Sequence, residues 1–210
     1  MSAVFDRDCR RCERLAGFLD QVSERHPGYY CRPVPPFGDP AAKLLIVGLA
    51  PGMHGANKSG RPFTGDYAGI LLYETLHKFG FGTAPASESA DDDLELINCR
   101  ITNAVKCLPP DNKPTGAEIN ECNAYLKTEL ATMQPGSVLL ALGGIAHRAI
   151  VKALQGRQAD YKFAHAAVHE IGGMSLLDSY HCSRYNTNTR RLTTDMFEAV
   201  FAKARKLLKT

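Results

Sequence analysis

Largely apolar residues fall in four short runs: Leu44 to Val47, Leu96 to Val105, Val138 to Leu142 and Met174 to Tyr180. Runs of this length fit strands buried on both faces, as in a parallel sheet. Between and after them the apolar spacing changes to a helical period, over Ile70 to Phe79, Gly116 to Met133, Gly144 to Leu154 and Thr194 to Leu208. Pro114 and Thr115 before Glu118 mark a helix start, with Thr115 as cap and Glu118 completing a capping box. This alternation predicts an α/β fold: a three-layer α/β/α sandwich around a central, mostly parallel, four-stranded sheet. The stretch from Gly80 to Asp93, rich in Ala, Ser and Asp, reads as a surface loop rather than a boundary. Residues 1–210 are therefore expected to form a single domain with a cysteine-bearing N-terminal segment.

One junction carries more information than the others. Between the first strand and the helix at Ile70, the chain from Gly48 to Asp66 passes five glycines, two prolines, an asparagine and a histidine. Glycine lets backbone approach a ligand closely, and proline stiffens a turn. Open α/β folds bind ligands at such strand-to-helix turns. The turn lacks the G-x-G-x-x-G spacing of a dinucleotide site, which disfavours a Rossmann-type nucleotide enzyme.

Composition narrows the classes further. A chain of 210 residues is long enough to bury a core, and it has no run of about eighteen apolar residues, so no membrane span is expected. The first residues lack the apolar centre of a secretory signal, which points to the cytoplasm. The net charge is only +3, so a nucleic-acid site has to come from local clusters. Candidates are Lys58 with Arg61, and Arg184 with Arg190 and Arg191; the tail Lys203, Arg205 and Lys206 reads as a solvated helix face.

Seven cysteines, an odd number, argue against a disulfide scaffold. Cys9 and Cys12 form a C-x-x-C pair beside arginines, and Cys107 and Cys122 are separated by fourteen residues. Four thiolates hold either an iron–sulfur cluster or a zinc ion, and spacing alone does not separate the two. Cys31, Cys99 and Cys182 read as buried free thiols.

The turn from Gly48 to Asp66 closely resembles the first motif of uracil-DNA glycosylases, best that of family 5. Ile101-Thr102-Asn103-Ala104-Val105-Lys106-Cys107 resembles the family's central segment, and Ser179 to Thr193, with His181, Asn186 and Asn188, resembles its third motif. The three blocks fall in the family's order across nearly the whole chain. The resemblance implies a base-excision enzyme of a bacterial or archaeal cytosol, acting as a monomer on DNA that contains uracil or other deaminated bases. It also implies a [4Fe-4S] cluster on Cys9, Cys12, Cys107 and Cys122, ahead of zinc. This cluster would be structural, fixing an N-terminal segment with little apolar content of its own.

The family pattern gives each task of base removal a candidate. Phe63 matches the aromatic platform that stacks on uracil, Asn103 the amide that reads its edge, and His181 the donor to O2 of the departing base. Gly48, Leu49, Ala50, Gly52, His54 and Asn57 are expected to line the base pocket. Ala50 and Leu49 stand where related enzymes carry a catalytic aspartate and glutamate, which leaves Asp66 as the acid near the site. Asp66 either orients water or caps the following helix. Gly52 replaces a tyrosine that excludes thymine, so a wider pocket admitting hypoxanthine is expected. No lysine suits Schiff-base attack, hence a monofunctional glycosylase. Lys58, Arg61, Ser183, Arg184, Tyr185, Asn186, Asn188 and Arg191 are assigned to DNA contact, with the stretch from Ser183 to Thr189 as a flexible loop and Tyr185 as a wedge. The alternative class is a non-catalytic iron–sulfur protein that binds DNA or senses redox state on the same scaffold.

Overall fold

The computed structural model describes residues 4–209, so positions 1–3 and 210 of the expected domain lie outside the described residues. Strands β2 (Leu44–Gly48), β3 (Cys99–Asn103), β4 (Val138–Leu142) and β6 (Met174–Ser179) correspond to the four apolar runs. They pair in parallel in the order β3-β2-β4-β6. The expected four-stranded sheet is corrected to six strands: β1 (Phe37–Gly38) adds antiparallel to β3, and β5 (Val168–Ile171) antiparallel to β6. Neither edge strand makes an apolar run. β1 has two residues, and β5 reads Val-His-Glu-Ile with only its last residue buried. The second run is also shorter as a strand than its apolar stretch, since Asn98 at φ 49° turns the chain just before Cys99.

Alternate strand residues enter two cores. Leu44, Ile46, Ile101 and Leu140 face one side, under α3 (Tyr67–Lys78) and α7 (Thr194–Leu207). Leu45, Val47, Leu139 and Leu176 face the other, under α4 (Gly116–Ala131) and α5 (Gly144–Ala153). The α4 cap is the expected capping box, with the Thr115 hydroxyl accepting from the Glu118 N–H and the Glu118 carboxylate accepting from the Thr115 N–H.

A third cluster lies where the sequence reading expected little. α1 (Glu13–Arg25) is amphipathic and buries Leu15, Ala16, Leu19 and Val22, so the N-terminal segment has an apolar face of its own. Arg14 grips Glu118 through two 2.7 Å hydrogen bonds, which fastens α1 to the start of α4.

Candidate active site

All four parallel strands end at one cavity of about 510 Å³. Its wall takes Leu49, Ala50 and Gly52 after β2, Asn103 at the end of β3, Gly143, Gly144 and Ile145 after β4, and His181 after β6. Phe63, Asp66 and Tyr67 close it from the first turn, and Ser183 and Arg184 from the last.

The turn from Gly48 to Asp66 is held from within. The Ser59 hydroxyl faces the carbonyls of Gly55, Arg61 and Thr64, and the Tyr73 hydroxyl donates to the Pro62 carbonyl at 2.7 Å. These bonds keep Phe63 at φ 57°, a conformation unusual for a bulky side chain, with its ring buried. Gly69 makes room for it: a Cβ there would lie 1.8 Å from the Phe63 carbonyl oxygen. Phe63 lies against His181, with ring centroids 5.9 Å apart and planes 28° off parallel.

Asp66 caps the following helix and also faces the cavity. Its Oδ1 accepts from the Gly69 N–H at 2.8 Å and caps α3, while the same residue lines the cavity. Burial raises its pKa above the usual carboxylate range, and the Gly69 and Ala68 amides only partly pull it back. It is the one carboxylate lining the cavity among the described residues. His181 is driven the other way. Burial pushes its pKa down to about 4, so the ring is neutral at pH 7. Asn103 Oδ1 and His181 Nδ1 are buried without a partner in the protein. Buried polar atoms are costly unless something satisfies them, so both are open to a ligand.

Four assigned residues fall elsewhere. Arg61, assigned to DNA contact, has a buried guanidinium that pairs with Asp92, donates to the Ala90 carbonyl and the Ser87 hydroxyl, and stacks on Phe37. The polar loop from Gly80 to Asp93 thus serves as a receptor for one buried charge, an attachment that local composition does not encode. Asn57 is wholly buried outside the cavity lining, with its amide 3.5 Å from Cys31 Sγ. His54 is exposed and bonds the Tyr29 hydroxyl at 2.9 Å, also away from the lining. Gly48 stands behind the wall: a Cβ on it would lie 2.4 Å from Asn103 Oδ1.

The expected flexible loop is in part a helix. α6 (Arg184–Asn188) is capped by the Ser183 hydroxyl, and Asn186 turns inward to donate to the His181 carbonyl at 2.8 Å. Arg184, Tyr185 and Asn188 are exposed, with the Arg184 guanidinium over the Tyr67 ring, while Arg191 lies over the Tyr180 ring. Lys58 is exposed, with its ammonium 5.9 Å from the Tyr29 ring centroid.

Sequence reasoning missed Tyr67, Asn112 and the Gly143-Gly144-Ile145 wall. The last had a signal, a Gly-Gly pair directly after a buried strand. Behind that wall, His147 on α5 bonds Asp178 on β6 at 2.7 Å and the Tyr161 carbonyl at 2.8 Å. Burial lowers the His147 pKa, but these two partners outweigh it and raise it. Both ring nitrogens are engaged, so the pair acts as a staple between α5 and the strand that leads to His181.

Cys9, Cys12, Cys107 and Cys122 line a second, small cavity with Leu15, Pro33 and Tyr125. The Arg11 guanidinium donates to Cys9 Sγ at 3.4 Å and the Lys106 N–H to Cys122 Sγ at 3.3 Å. Burial and the neighbouring thiols push Cys12 up to about 11 and raise Cys107 further. For Cys9 burial also acts upward, but hydrogen bonds with Tyr125 and Arg11 bring it below the usual thiol value. Among the described residues, the one group of His, Cys, Asp or Glu ligand atoms all within 4.8 Å of one another is His147, His169 and Asp178, so no three of these sulfurs are that close. Cys99 and Cys182 are buried, and Cys31 half-buried.

A family model described as the uracil DNA glycosylase superfamily matches residues 35–205. The chain is similar to a type-5 uracil-DNA glycosylase of Thermus thermophilus, 44% identical over 205 residues covering 95% of this chain and 93% of that protein. A type-5 uracil-DNA glycosylase of Pyrobaculum aerophilum is 41% identical over 94% of this chain and 88% of its own length. A type-4 uracil-DNA glycosylase of Archaeoglobus fulgidus is 36% identical over 54% of this chain and 49% of its own length.

Proposed function

The chain belongs to the uracil DNA glycosylase superfamily, and we propose that it removes uracil from DNA by hydrolysing the bond between base and deoxyribose. The convergence of Phe63, Asn103, His181 and Asp66 on one cavity, from three separate stretches of chain, carries this reading.

Base removal needs an extruded base, a reader for its edge, a stabiliser for the negative charge it takes with it, and water for the sugar. Phe63 offers a buried ring face for stacking. The Asn103 amide, both donor and acceptor, suits the adjoining carbonyl and N–H of uracil. As the C–N bond breaks, its electron pair moves onto the base. A neutral His181 then donates a hydrogen bond to the carbonyl oxygen where that charge collects, fixed in place beforehand. The Asp66 carboxylate orients a water toward C1′ and, when ionised, balances the positive charge building on the sugar. The water oxygen bonds to C1′ and its proton passes through solvent to the departing uracil anion, so neutral uracil and an intact abasic sugar result. No lysine lines the cavity among the described residues, in keeping with a monofunctional hydrolase.

Gly52 supports a wider substrate range. A Cβ there meets nothing closer than Asp66 Oδ2 at 3.7 Å, so space is open on that side of the base. Hypoxanthine presents a carbonyl beside an N–H, as uracil does. Added bulk at Gly52 is expected to suppress hypoxanthine release more than uracil release.

Cys9, Cys12, Cys107 and Cys122 fit a [4Fe-4S] cluster: four thiols around one cavity, two of them already accepting N–H bonds. When bound, the cluster supplies a covalent tie between α1 and the segment after β3. No helix among the described residues is long and apolar enough to cross a membrane, and we place the enzyme in the cytoplasm as a single-domain monomer.

The deciding experiment is single-turnover release of uracil from duplex and single-stranded oligonucleotides by wild type, Asn103→Ala and His181→Ala. Both variants should bind DNA yet cut the rate of the chemical step by about 100-fold or more. Equal rates for His181→Ala and wild type would remove His181 from the mechanism. No release by the wild type would instead favour the non-catalytic alternative.

A further inference from the structure

Five large hydrophobic side chains are exposed among the described residues, and two of them, Tyr67 and Tyr185, belong to the two segments that face each other across the mouth of the base cavity. Tyr67 opens α3 directly after Asp66. Tyr185 lies on α6, four residues after His181.

These two segments touch through Tyr67. Its phenol oxygen is 3.3 Å from the Thr187 hydroxyl, and the Arg184 guanidinium lies over its ring, 4.9 Å from the centroid. The Thr187 hydroxyl also faces the carbonyls of Arg184 at 3.1 Å and Ser183 at 3.3 Å. The Thr187 hydroxyl donates toward the phenol oxygen as well as toward these two carbonyls, so the phenol is one of three acceptors around its single proton. α6 has only five residues, too few to be stable as an isolated helix. It depends on outside anchors: the Asn186 amide on the His181 carbonyl beneath it, and Tyr67 across the mouth.

We propose that Tyr67 is a positioning residue, the latch that fastens α6 to α3 across the cavity mouth. It holds the Arg184 guanidinium over a ring rather than free in solvent. DNA is then met by a preformed rim, with Arg184 and Tyr185 already in place. This rests on the proposed function in taking DNA as the partner. The residue touches other protein groups at the rim, so its effect should fall on DNA engagement more than on bond cleavage.

The test compares Tyr67→Phe, Thr187→Val, their double variant and Tyr67→Ala on uracil-containing duplex. Half-saturating DNA concentration and the saturated single-turnover rate are measured separately. Tyr67→Phe and Thr187→Val should each raise half-saturation about fivefold, the worth of one neutral hydrogen bond. The double variant should be no worse than either single, because both remove the same contact. Tyr67→Ala, which also frees Arg184, should exceed tenfold, with the saturated rate within about threefold of wild type. Amide hydrogen exchange over residues 185–189 should quicken in Tyr67→Ala while the strands stay protected. Additive single effects would overturn the latch, as would a fall in saturated rate with unchanged half-saturation. If the wild type releases no uracil, the proposed function fails by itself. The latch is then judged by exchange alone, and unchanged rates over 185–189 in Tyr67→Ala overturn it.

Discussion

Alanine at Gly48 should disable the base pocket while leaving the fold in place. Gly48 ends β2 and is the parallel partner of Asn103 at the end of β3. A Cβ added there stands 2.4 Å from Asn103 Oδ1, and 2.7 and 2.9 Å from Cζ and Cε2 of Phe63, where ordinary contact begins at 3.4 Å. One methyl group must therefore displace the reading amide by about 1 Å and the aromatic floor by about 0.7 Å. Neither can yield cheaply. Asn103 is fixed by its strand, with the next residue, Ala104, donating to the Gly48 carbonyl at 2.9 Å. Phe63 is buried at positive φ with its carbonyl against Gly69. Overpacking of this kind costs about 1–3 kcal/mol of stability, which a domain of this size survives. A displacement of about 1 Å in a positioning group costs about 100-fold in rate. Single-turnover uracil release with enzyme in excess, paired with a thermal melt, reads both. Expected are a cooperative melt lowered by a few degrees and a rate down about 100-fold. A rate within threefold of wild type, with the melt unchanged, would refute the geometry given to Asn103 and Phe63.

Other expectations follow from the same distances. Arg61→Met should cost about 2–3 kcal/mol, less than for a fully buried ion pair because Asp92 keeps some solvent contact. The salt dependence of its DNA affinity should match wild type, whereas a lost phosphate contact would flatten it. In acid, uracil release should begin to fall above the ordinary aspartate range, because Asp66 takes up a proton early while His181 stays neutral to about pH 4. A first break near pH 4 instead would assign the limb to His181. Folding stability should drop as pH falls from about 6.5 toward 4, because the unfolded histidine binds a proton that the folded one refuses. Denaturant melts of His181→Ala should lack this component. Cys122→Ser should lose iron measured by elemental analysis, with Cys31→Ser retaining it; full iron in both would sink the cysteine assignment.

Sequence pattern revealed what repeats along the chain and missed what depends on a single distant partner. Each central strand left an uninterrupted apolar run because both its faces are covered, and the capping box of α4 was legible because both members lie within four residues. The edge strands were not legible, since half-buried or two-residue strands make no run. α1 was overlooked because its apolar positions are spread among seven polar or charged ones between Glu13 and Arg25. At the site, Phe63, Asn103, Asp66 and His181 were found by motif, and they do share a cavity. Arg61 sits in the same motif and read as a DNA contact. Only the fold shows that a loop thirty residues away wraps its charge. Asn57 failed for a similar reason: a polar residue in a glycine-rich turn can face inward, and composition does not give the direction.

Catalytic geometry in this chain is set by the sheet itself. The parallel register puts Gly48 beside Asn103, and the turns after β4 and β6 bring Gly143 within reach of His181, where a Cβ would meet the His181 Cβ at 3.6 Å. Slipping β3 by one residue against β2 would turn Asn103 to the opposite face and bring Thr102 or Ala104 to the pocket. What prevents the slip is burial on both faces: Ile101 belongs to one core while Ala104, just past the strand, belongs to the other. The same short segment continues to Lys106, whose buried ammonium pairs with Glu129, and to Cys107 beside the second cavity. Three residues thus separate the Asn103 amide at the first cavity from the Cys107 thiol at the second. A disturbance at the cysteines reaches the pocket through a backbone already held at Ala104 and Val105 by the carbonyls of Gly48 and Leu49. Freedom at this end of β3 would cost base recognition before it cost the fold.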